Sequence, residues 1–356
     1  RAIDETDRRR DKQLAHNKAN NITPALTAAG LPEPNRVKEL WSINPSVGGP
    51  IVRDKLWFFG SYTRNVADNY VAFQEDLDPN ATFYTPGPNQ AVDDQYTDDF
   101  AGRLTWQVND ANKFQFYAND SSVCHCHFLV GTAIQSINVM SSAAVEQHYD
   151  TQTYQGEWTS APNSRLLFEF ALGTLPETES HWTNTPGVDP DLPGVLEVGA
   201  GVIGSRGFGS WYGARNTWDI LDTTTTGKAS VSYVTGSHSF KAGTTMVFGN
   251  SPQHFGTNDL AYSFRTLFGQ PVQAVFAKWP SDSLDKSRAI ALYAQDQWTL
   301  DRLTVNAGVR MDYFHAWYPD QNQAATKYGA ASAIEGADAA TWKDLSPRLG
   351  LAYDVF

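Results

Sequence analysis

Four consecutive residues, Cys124-His125-Cys126-His127, are the densest set of soft donors in the chain. Thiolates and imidazoles in such a run suit zinc or copper. In an extended strand, however, the two cysteines project to one side and the two histidines to the other. All four could meet one ion only across a turn, and no second ligand pair stands at zinc spacing. The competing readings are a local Cys124–Cys126 disulfide formed in an oxidising compartment, or unpaired surface residues. A second cluster is acidic: Asp93, Asp94, Asp98 and Asp99 lie beside a strand start and could hold calcium, against the simpler expectation of a solvated edge. Neither cluster is expected to be a metal site, and no cofactor is expected.

A third stretch, Gly209-Ser210-Trp211-Tyr212-Gly213-Ala214-Arg215-Asn216-Thr217-Trp218, combines flat rings with a fixed cation. Trp211, Tyr212, Arg215 and Trp218 are the candidate solute-binding residues, with loop packing or an aromatic girdle as the plain alternative. Catalytic apparatus is not visible: there is no G-x-S-x-G elbow, no zinc-protease helix and no phosphate loop. The chain is therefore expected not to be an enzyme.

These residues need elements to position them, and composition narrows which. The chain has 356 residues, is 41% hydrophobic and carries a net charge of −12. Acidic and basic residues are interspersed with no basic stripe, which argues against a nucleic-acid partner. No run of about eighteen apolar residues occurs and mean hydropathy is negative, so a membrane role would have to come through strands. The opening Arg1-Ala-Ile-Asp-Glu has no charged-then-apolar leader, so any signal peptide is expected to be removed or to lie outside this sequence. Aromatics make up 13%, with 11 Trp, which suits a membrane interface or a carbohydrate-binding surface.

The strongest pattern is a repeated unit of alternating strand, short turn, second alternating strand and long polar loop. Four turns carry it: Asn109-Asp110-Ala111-Asn112, Ala161-Pro162-Asn163-Ser164, Thr235-Gly236-Ser237-His238 and Leu300-Asp301-Arg302. The loops run roughly 66–96, 123–148, 176–216, 251–285 and 316–343. In 302–314 one face reads Leu303, Val305, Ala307, Val309, Met311 and Tyr313, and the other Arg302, Thr304, Asn306, Gly308, Arg310 and Asp312. Asp296 departs from this rule by falling on the apolar face of Ile290, Leu292, Ala294, Trp298 and Leu300, and the sequence offers no reason.

A β-sandwich alternates too. Three features favour a barrel. The strands reach about ten residues or more, enough for a tilted bilayer crossing. An aromatic stands three or four positions before each short turn, namely Trp106, Trp158, Tyr233 and Trp298, as in a membrane-interface girdle. The loops are longer than compact domains use. Eleven candidate strands follow: 36–50, 54–65, 97–109, 112–122, 149–160, 164–175, 217–235, 238–250, 286–300, 302–315 and 345–356. Eleven is odd, whereas single-chain bacterial barrels close on an even count, so an incomplete barrel is expected.

Residues 44–64, Asn44-Pro45-Ser46-Val47-Gly48-Gly49-Pro50-Ile51-Val52-Arg53-Asp54-Lys55-Leu56-Trp57-Phe58-Phe59-Gly60-Ser61-Tyr62-Thr63-Arg64, resemble the signature of TonB-dependent receptors of the Oar-like group. Tyr293-Ala294-Gln295-Asp296-Gln297-Trp298, Asn306 to Tyr313 and Ser346 to Asp354 resemble later strands of the same family in the same order. On the residues alone, Gly48-Gly49-Pro50 is read as a strand end and Arg53-Asp54-Lys55 as a polar turn before an aromatic strand.

The resemblance implies an all-β, antiparallel, up-and-down transmembrane barrel in the cell outer membrane, here about 11 of about 22 strands, with long extracellular loops. It implies a preceding carboxypeptidase-regulatory-like domain and plug, so that 1–35 is the end of a preceding region, 36–356 a partial barrel, and Phe356 a truncation point. It also implies energy-coupled uptake of an extracellular solute (oligosaccharide, peptide or metal chelate) with outer-membrane lipid and the periplasmic TonB complex as partners. Lumen-facing Arg103, Glu157, Arg310, Asp312 and Arg348 would then pair with the plug or with each other. The alternatives are a non-transporting surface receptor or adhesion barrel and, third, an outer-membrane hydrolase, which lacks a visible nucleophile and base.

Overall fold

A computed structural model of the chain describes residue 24 and residues 33–355, apart from 79, 84, 128–129, 131–136, 139–144, 184–188, 190–191, 199–202, 207–215, 258–260 and 279. The expected leading segment 1–35 lies almost wholly outside the described residues. The first strands are β1 (Arg36–Ile43), β2 (Ser46–Val52), β3 (Leu56–Asp76), β4 (Pro86–Asp93), β5 (Gln95–Asn109) and β6 (Asn112–His125). Then come β7 (Ile137–Asn138), β8 (Val145–Asn163), β9 (Leu166–Thr183), β10 (Gly194–Glu197), β11 (Ile203–Arg206), β12 (Asn216–Thr235) and β13 (His238–Thr257). The last are β14 (Tyr262–Leu267), β15 (Gln270–Phe276), β16 (Ser281–Leu300), β17 (Leu303–Tyr318), β18 (Gln321–Gln323), β19 (Ser332–Ile334) and β20 (Ala337–Tyr353).

Eleven of these, β1-β3-β5-β6-β8-β9-β12-β13-β16-β17-β20, form one antiparallel wall in up-and-down order. The number and order are those expected from the alternating segments. The wall is an open sheet, because β1 and β20 stand at opposite ends of it and do not pair. Turn chemistry sets its register. Asn109 pairs Asn112, Asn163 pairs Leu166, Thr235 pairs His238 and Leu300 pairs Leu303, so all four connections are two-residue hairpins. Asn109 Oδ1 accepts from the Ala111 and Asn112 backbone N–H groups at 3.0 Å each, and Gly236 (φ 51°) and Asp301 (φ 45°) supply left-handed turn positions.

Three local expectations need correction. The second turn is Ser164-Arg165, not Ala161 to Ser164: β8 runs through Ala161-Pro162 to Asn163 with a register irregularity there, and Asn163 Oδ1 accepts from Arg165 N at 2.9 Å. Pro50 does not end a strand, because β2 continues to Val52 and Pro50 pairs Trp57. It is tolerated because β2 pairs only with β3, so its missing donor falls on an edge. The break comes earlier: β1 covers the upper part of β3 and β2 the lower part, interrupted at Asn44-Pro45, where Tyr62 N still donates to Pro45 O at 3.0 Å.

The strands are also longer than the alternation suggests. β3 has 21 residues, and β12, β13 and β16 have 20 each. Backbone ladders continue beyond the point where alternation stops, so the ends of several expected loops are strand. Parts of the remaining loops form a second, five-stranded sheet in the order β15-β14-β10-β11-β7, in which β10–β14 and β11–β7 are parallel, and β18–β19 form a small hairpin.

Direct cross-strand partners share a face, which makes the faces traceable. Leu56, Trp106, Phe114, Trp158, Phe170, Ala229, Thr244, Leu292, Met311 and Leu345 are successive partners across the wall from β3 to β20. This is the apolar face, and it is open: Phe170, Leu292, Met311 and Leu345 are among its exposed large side chains. The packed apolar residues lie elsewhere. Of the eight buried ones among the described residues, Val71, Ala91 and Cys124 lie toward the upper ends of β3, β4 and β6, Val130 in the turn beyond β6, Val195, Leu196 and Ala261 in or beside the loop sheet, and Ala291 in the middle of β16.

Candidate functional site

Two surfaces could meet a solute: the polar face of the wall and the loop region above it. On the polar face Glu169 Oε2 accepts from Lys241 Nζ and Ser230 Oγ, both at 2.8 Å, tying β9, β12 and β13 together. Arg310 and Asp312 pair with each other through Nε, at 2.9 Å to both carboxylate oxygens. Glu157 accepts from Gln155 at 2.7 Å and Gln115 at 3.3 Å. Arg103 lies over the Tyr117 ring at 5.8 Å. Among the described residues neither Arg103 nor Arg348 has a carboxylate within ion-pair distance. Arg348 and Lys241 border a polar cavity of about 370 Å³ with Ser232, Gln295, Asn306 and Gly308.

Gly243 shows how tightly this face is set. A Cβ there would lie 2.6 Å from Tyr293 Oη and 2.5 Å from Ala229 O, so a hydrogen at this position lets the phenol cross β13.

The sequence's donor clusters resolve into separate pairs. Cys124 and Cys126 form a disulfide with Cα atoms 5.1 Å apart. His125 Nε2 meets Asp93 Oδ1 at 2.7 Å, and His127 Nδ1 meets Asp94 Oδ1 at 2.5 Å. Asp98 accepts from Tyr62 Oη and Arg64 Nη1 at 2.6 Å each, and Asp99 from Asn119 Nδ2 at 2.7 Å. The four carboxylates thus serve different partners rather than one centre, and among the described residues no group of three or more His, Cys, Asp or Glu is arranged for a metal.

Trp211, Tyr212 and Arg215 lie outside the described residues. Trp218 sits in β12, paired through its backbone with His181 of β9 and Phe255 of β13. The four aromatics Trp106, Trp158, Tyr233 and Trp298 share the apolar face by register. Trp106 and Trp158 flank Phe114, at 6.1 and 6.5 Å between centroids, and Trp158 stacks with Phe168 at 6.4 Å.

Asp296, anomalous in the sequence, has a partner supplied by register. His238 Nδ1 meets Asp296 Oδ2 at 2.7 Å, and the imidazole stacks on Trp298 at 5.4 Å and Phe240 at 5.2 Å. The imidazole therefore engages Asp296 Oδ2 within an aromatic cluster close to the turn, while Asp296 Oδ1 is buried without a hydrogen-bond partner. The two residues are 58 positions apart, so only the strand pairing could have revealed this.

The loop region also carries contacts that sequence reading missed. Beyond the top of its pairing with β17, β16 is met by side chains: the amides of Gln321 and Gln323 bond the backbone N–H and C=O of Leu284 and Asp282, with N–H distances of 3.1 and 3.2 Å. Two glutamines two residues apart thus imitate an added strand. Asp189 N donates to Asn80 Oδ1 at 2.7 Å, linking two separate loops.

Comparison with known proteins agrees with this geometry. Residues 63–356 match the family model described as outer membrane beta barrel domain. A model described as ultra-violet resistance protein B matches residues 1–28, of which one is described, and carries no functional argument. No curated protein matches. The ferric yersiniabactin uptake receptor FyuA of Yersinia pestis is similar in fold, with TM-score 0.55 and 10% identity over 90% of this chain and 44% of its own. FpvA of P. aeruginosa, in a complex with a heterologous pyoverdine and iron, gives 0.52 and 11% over 90% of this chain and 39% of its own. The outer membrane transporter YddB of Escherichia coli gives 0.51 and 13% over 78% of this chain and 36% of its own. The chain thus spans less than half the length of each. At these identities the likeness speaks to fold, and the match over 63–356 makes this chain a member of the outer membrane β-barrel domain family, with its place in the outer membrane.

Proposed function

We propose that residues 36–356 form part of a TonB-dependent transporter that takes up an extracellular solute across the outer membrane. The observation that supports this most is the two-faced wall: an apolar face open over eleven strands, backed by a polar face on which Arg103 and Arg348 have no carboxylate partner among the described residues. A face of that kind suits lipid on one side and a water-filled or plugged lumen on the other. The unpaired cations and the Lys241–Arg348 cavity suit a plug that supplies carboxylates. Trp106, Trp158, Tyr233 and Trp298 act as the periplasmic girdle, and Trp211, Tyr212, Arg215 and Trp218 contribute to the solute-binding surface. The chain carries no catalytic role, and the TonB complex acts through the plug.

Uptake by cells expressing the full-length protein tests the reading, with a radiolabelled ferric siderophore, a copper chelate and an oligosaccharide as probes. Transport of at least one probe that stops when TonB is deleted is the expected result. Surface binding that persists without TonB, with no probe entering, would instead mark a non-transporting receptor.

A further inference from the structure

On the apolar face the upper ends of β16, β17 and β20 differ from the rest of the wall. Above the open row Leu292–Met311–Leu345 comes Ile290–Tyr313–Lys343, then Arg288–His315–Thr341, then Lys286 paired with Trp317. Three cations and two amphipathic rings thus follow the apolar stripe on three adjacent strands. The Arg288 guanidinium carbon stands 5.4 Å from the centroids of both Tyr313 and Trp317, and its Nη2 donates to Tyr313 Oη at 3.2 Å. Lys343 Nζ lies 5.9 Å from the Tyr313 ring.

Charge at this place is not neutralised. Among the described residues Lys286, Arg288 and Lys343 have no carboxylate within ion-pair distance, and Arg288 Nε is buried without a hydrogen-bond partner. The nearby acids on this face are engaged otherwise: Asp338 holds His315 at 2.7 Å, and Asp282 holds His254 at 2.6 Å. Elsewhere at the strand tops the same face pairs its cations, as Arg64 with Asp98 at 2.6 Å and Lys38 with Asp68 at 3.3 Å. Height fits a headgroup. From Trp298 near the turn up to Arg288 there are ten strand steps, about 34 Å along the chain and ~26 Å along the normal at a tilt of ~40°, close to the ~25 Å apolar band of such barrels.

We infer that Lys286, Arg288 and Lys343, braced by Tyr313 and Trp317, dock the headgroup of a phosphate-bearing lipid of the outer leaflet. Phosphate oxygens accept from the guanidinium and ammonium groups, the strong charge-assisted case. The acyl chains lie down the exposed row of Leu292, Met311 and Leu345, which are 57%, 48% and 70% exposed. A soluble anion would use the cations but not that row, and this distinguishes the two sources.

The test uses the full-length protein in detergent, with lipid A as the probe, retention being read by native mass spectrometry and affinity by competition. Wild type is expected to retain lipid A, and Arg288→Gln/Lys343→Gln to bind about tenfold more weakly, while Arg288→Lys/Lys343→Arg stays within about threefold of wild type, at ~1.4 kcal/mol per tenfold change. Lipid A stripped of phosphate should bind no better than phosphatidylcholine. Should the double variant lose its heat-modifiable folded form, Lys343→Gln alone, at an exposed position, is expected to weaken binding about threefold. Unchanged affinity in the Gln variants, equal retention of the dephosphorylated lipid, or displacement by inorganic phosphate at the same concentration as by lipid A would each overturn the assignment.

Discussion

The wall and the loop region are both β-structure, but different forces hold them. The wall has little interior: among the described residues its buried apolar side chains are Val71, Ala91 and Cys124 toward the upper strand ends and Ala291 in mid-strand, while Leu292, Met311 and Leu349 stand open. Its stability comes from continuous backbone ladders, which a lipid environment makes obligatory because no water can satisfy an unpaired N–H or C=O there. The loop sheet resembles a small soluble core, with Val195, Leu196, Ala261, Ser263 and Thr266 all buried around short strands paired in both senses. Polarity of surroundings should therefore matter most in the wall, and volume most in the loops.

The largest effect expected is a charge on the wrong face. Leu292→Arg should destabilise the folded protein in lipid bilayers by about 2–4 kcal/mol, whereas Val247→Arg, also exposed but on the polar face, should cost under ~1 kcal/mol. Reversible denaturant titration in liposomes measures both, and equal costs would remove the distinction between faces. A truncation should act the other way round. Leu196→Ala in β10, 4% exposed, should cost about 2–4 kcal/mol of local stability. Hydrogen exchange should then accelerate in β10 and β14 and leave β12 and β13 unchanged.

How much of this was legible follows from the same contrast. The wall could be read because each strand has one dry and one wet face, so period-two alternation survives in the sequence, as along 302–314. Strand ends were misjudged where the surroundings are aqueous on both sides: β3 was expected to stop at residue 65 and runs to Asp76, held by backbone pairing with β1 and β4 that imposes no pattern. The loop sheet was illegible because β7, β10 and β11 have two to four residues each, too few for a period, and pair with distant segments. Candidate ligands at 93–99 and 124–127 were visible as types, but their partners stand about thirty positions away in the sequence.

Smaller effects sharpen the comparison. Gly243→Ala forces a methyl against Tyr293 Oη and the Ala229 carbonyl, and is expected to cost about 1–3 kcal/mol. Tyr293→Phe in the same chain should recover part of that by removing the nearest side-chain atom, Tyr293 Oη. Gln321→Leu removes two hydrogen bonds to Leu284, about 1 kcal/mol each. Faster exchange of the Leu284 amide without loss of the β16–β17 ladder is the expected signature.

The central claim, that the wall separates lipid from water, can be tested most directly along β17. Single cysteines placed from Leu303 to Asp312 in the full-length protein, spin-labelled and reconstituted in bilayers, report access to oxygen and to a water-soluble nickel chelate. The described chain has no free thiol to interfere. Oxygen access should peak at Leu303, Val305, Ala307, Val309 and Met311, and chelate access at Thr304, Asn306, Arg310 and Asp312, a strict period of two. Equal access to the chelate at all ten positions would contradict a membrane wall.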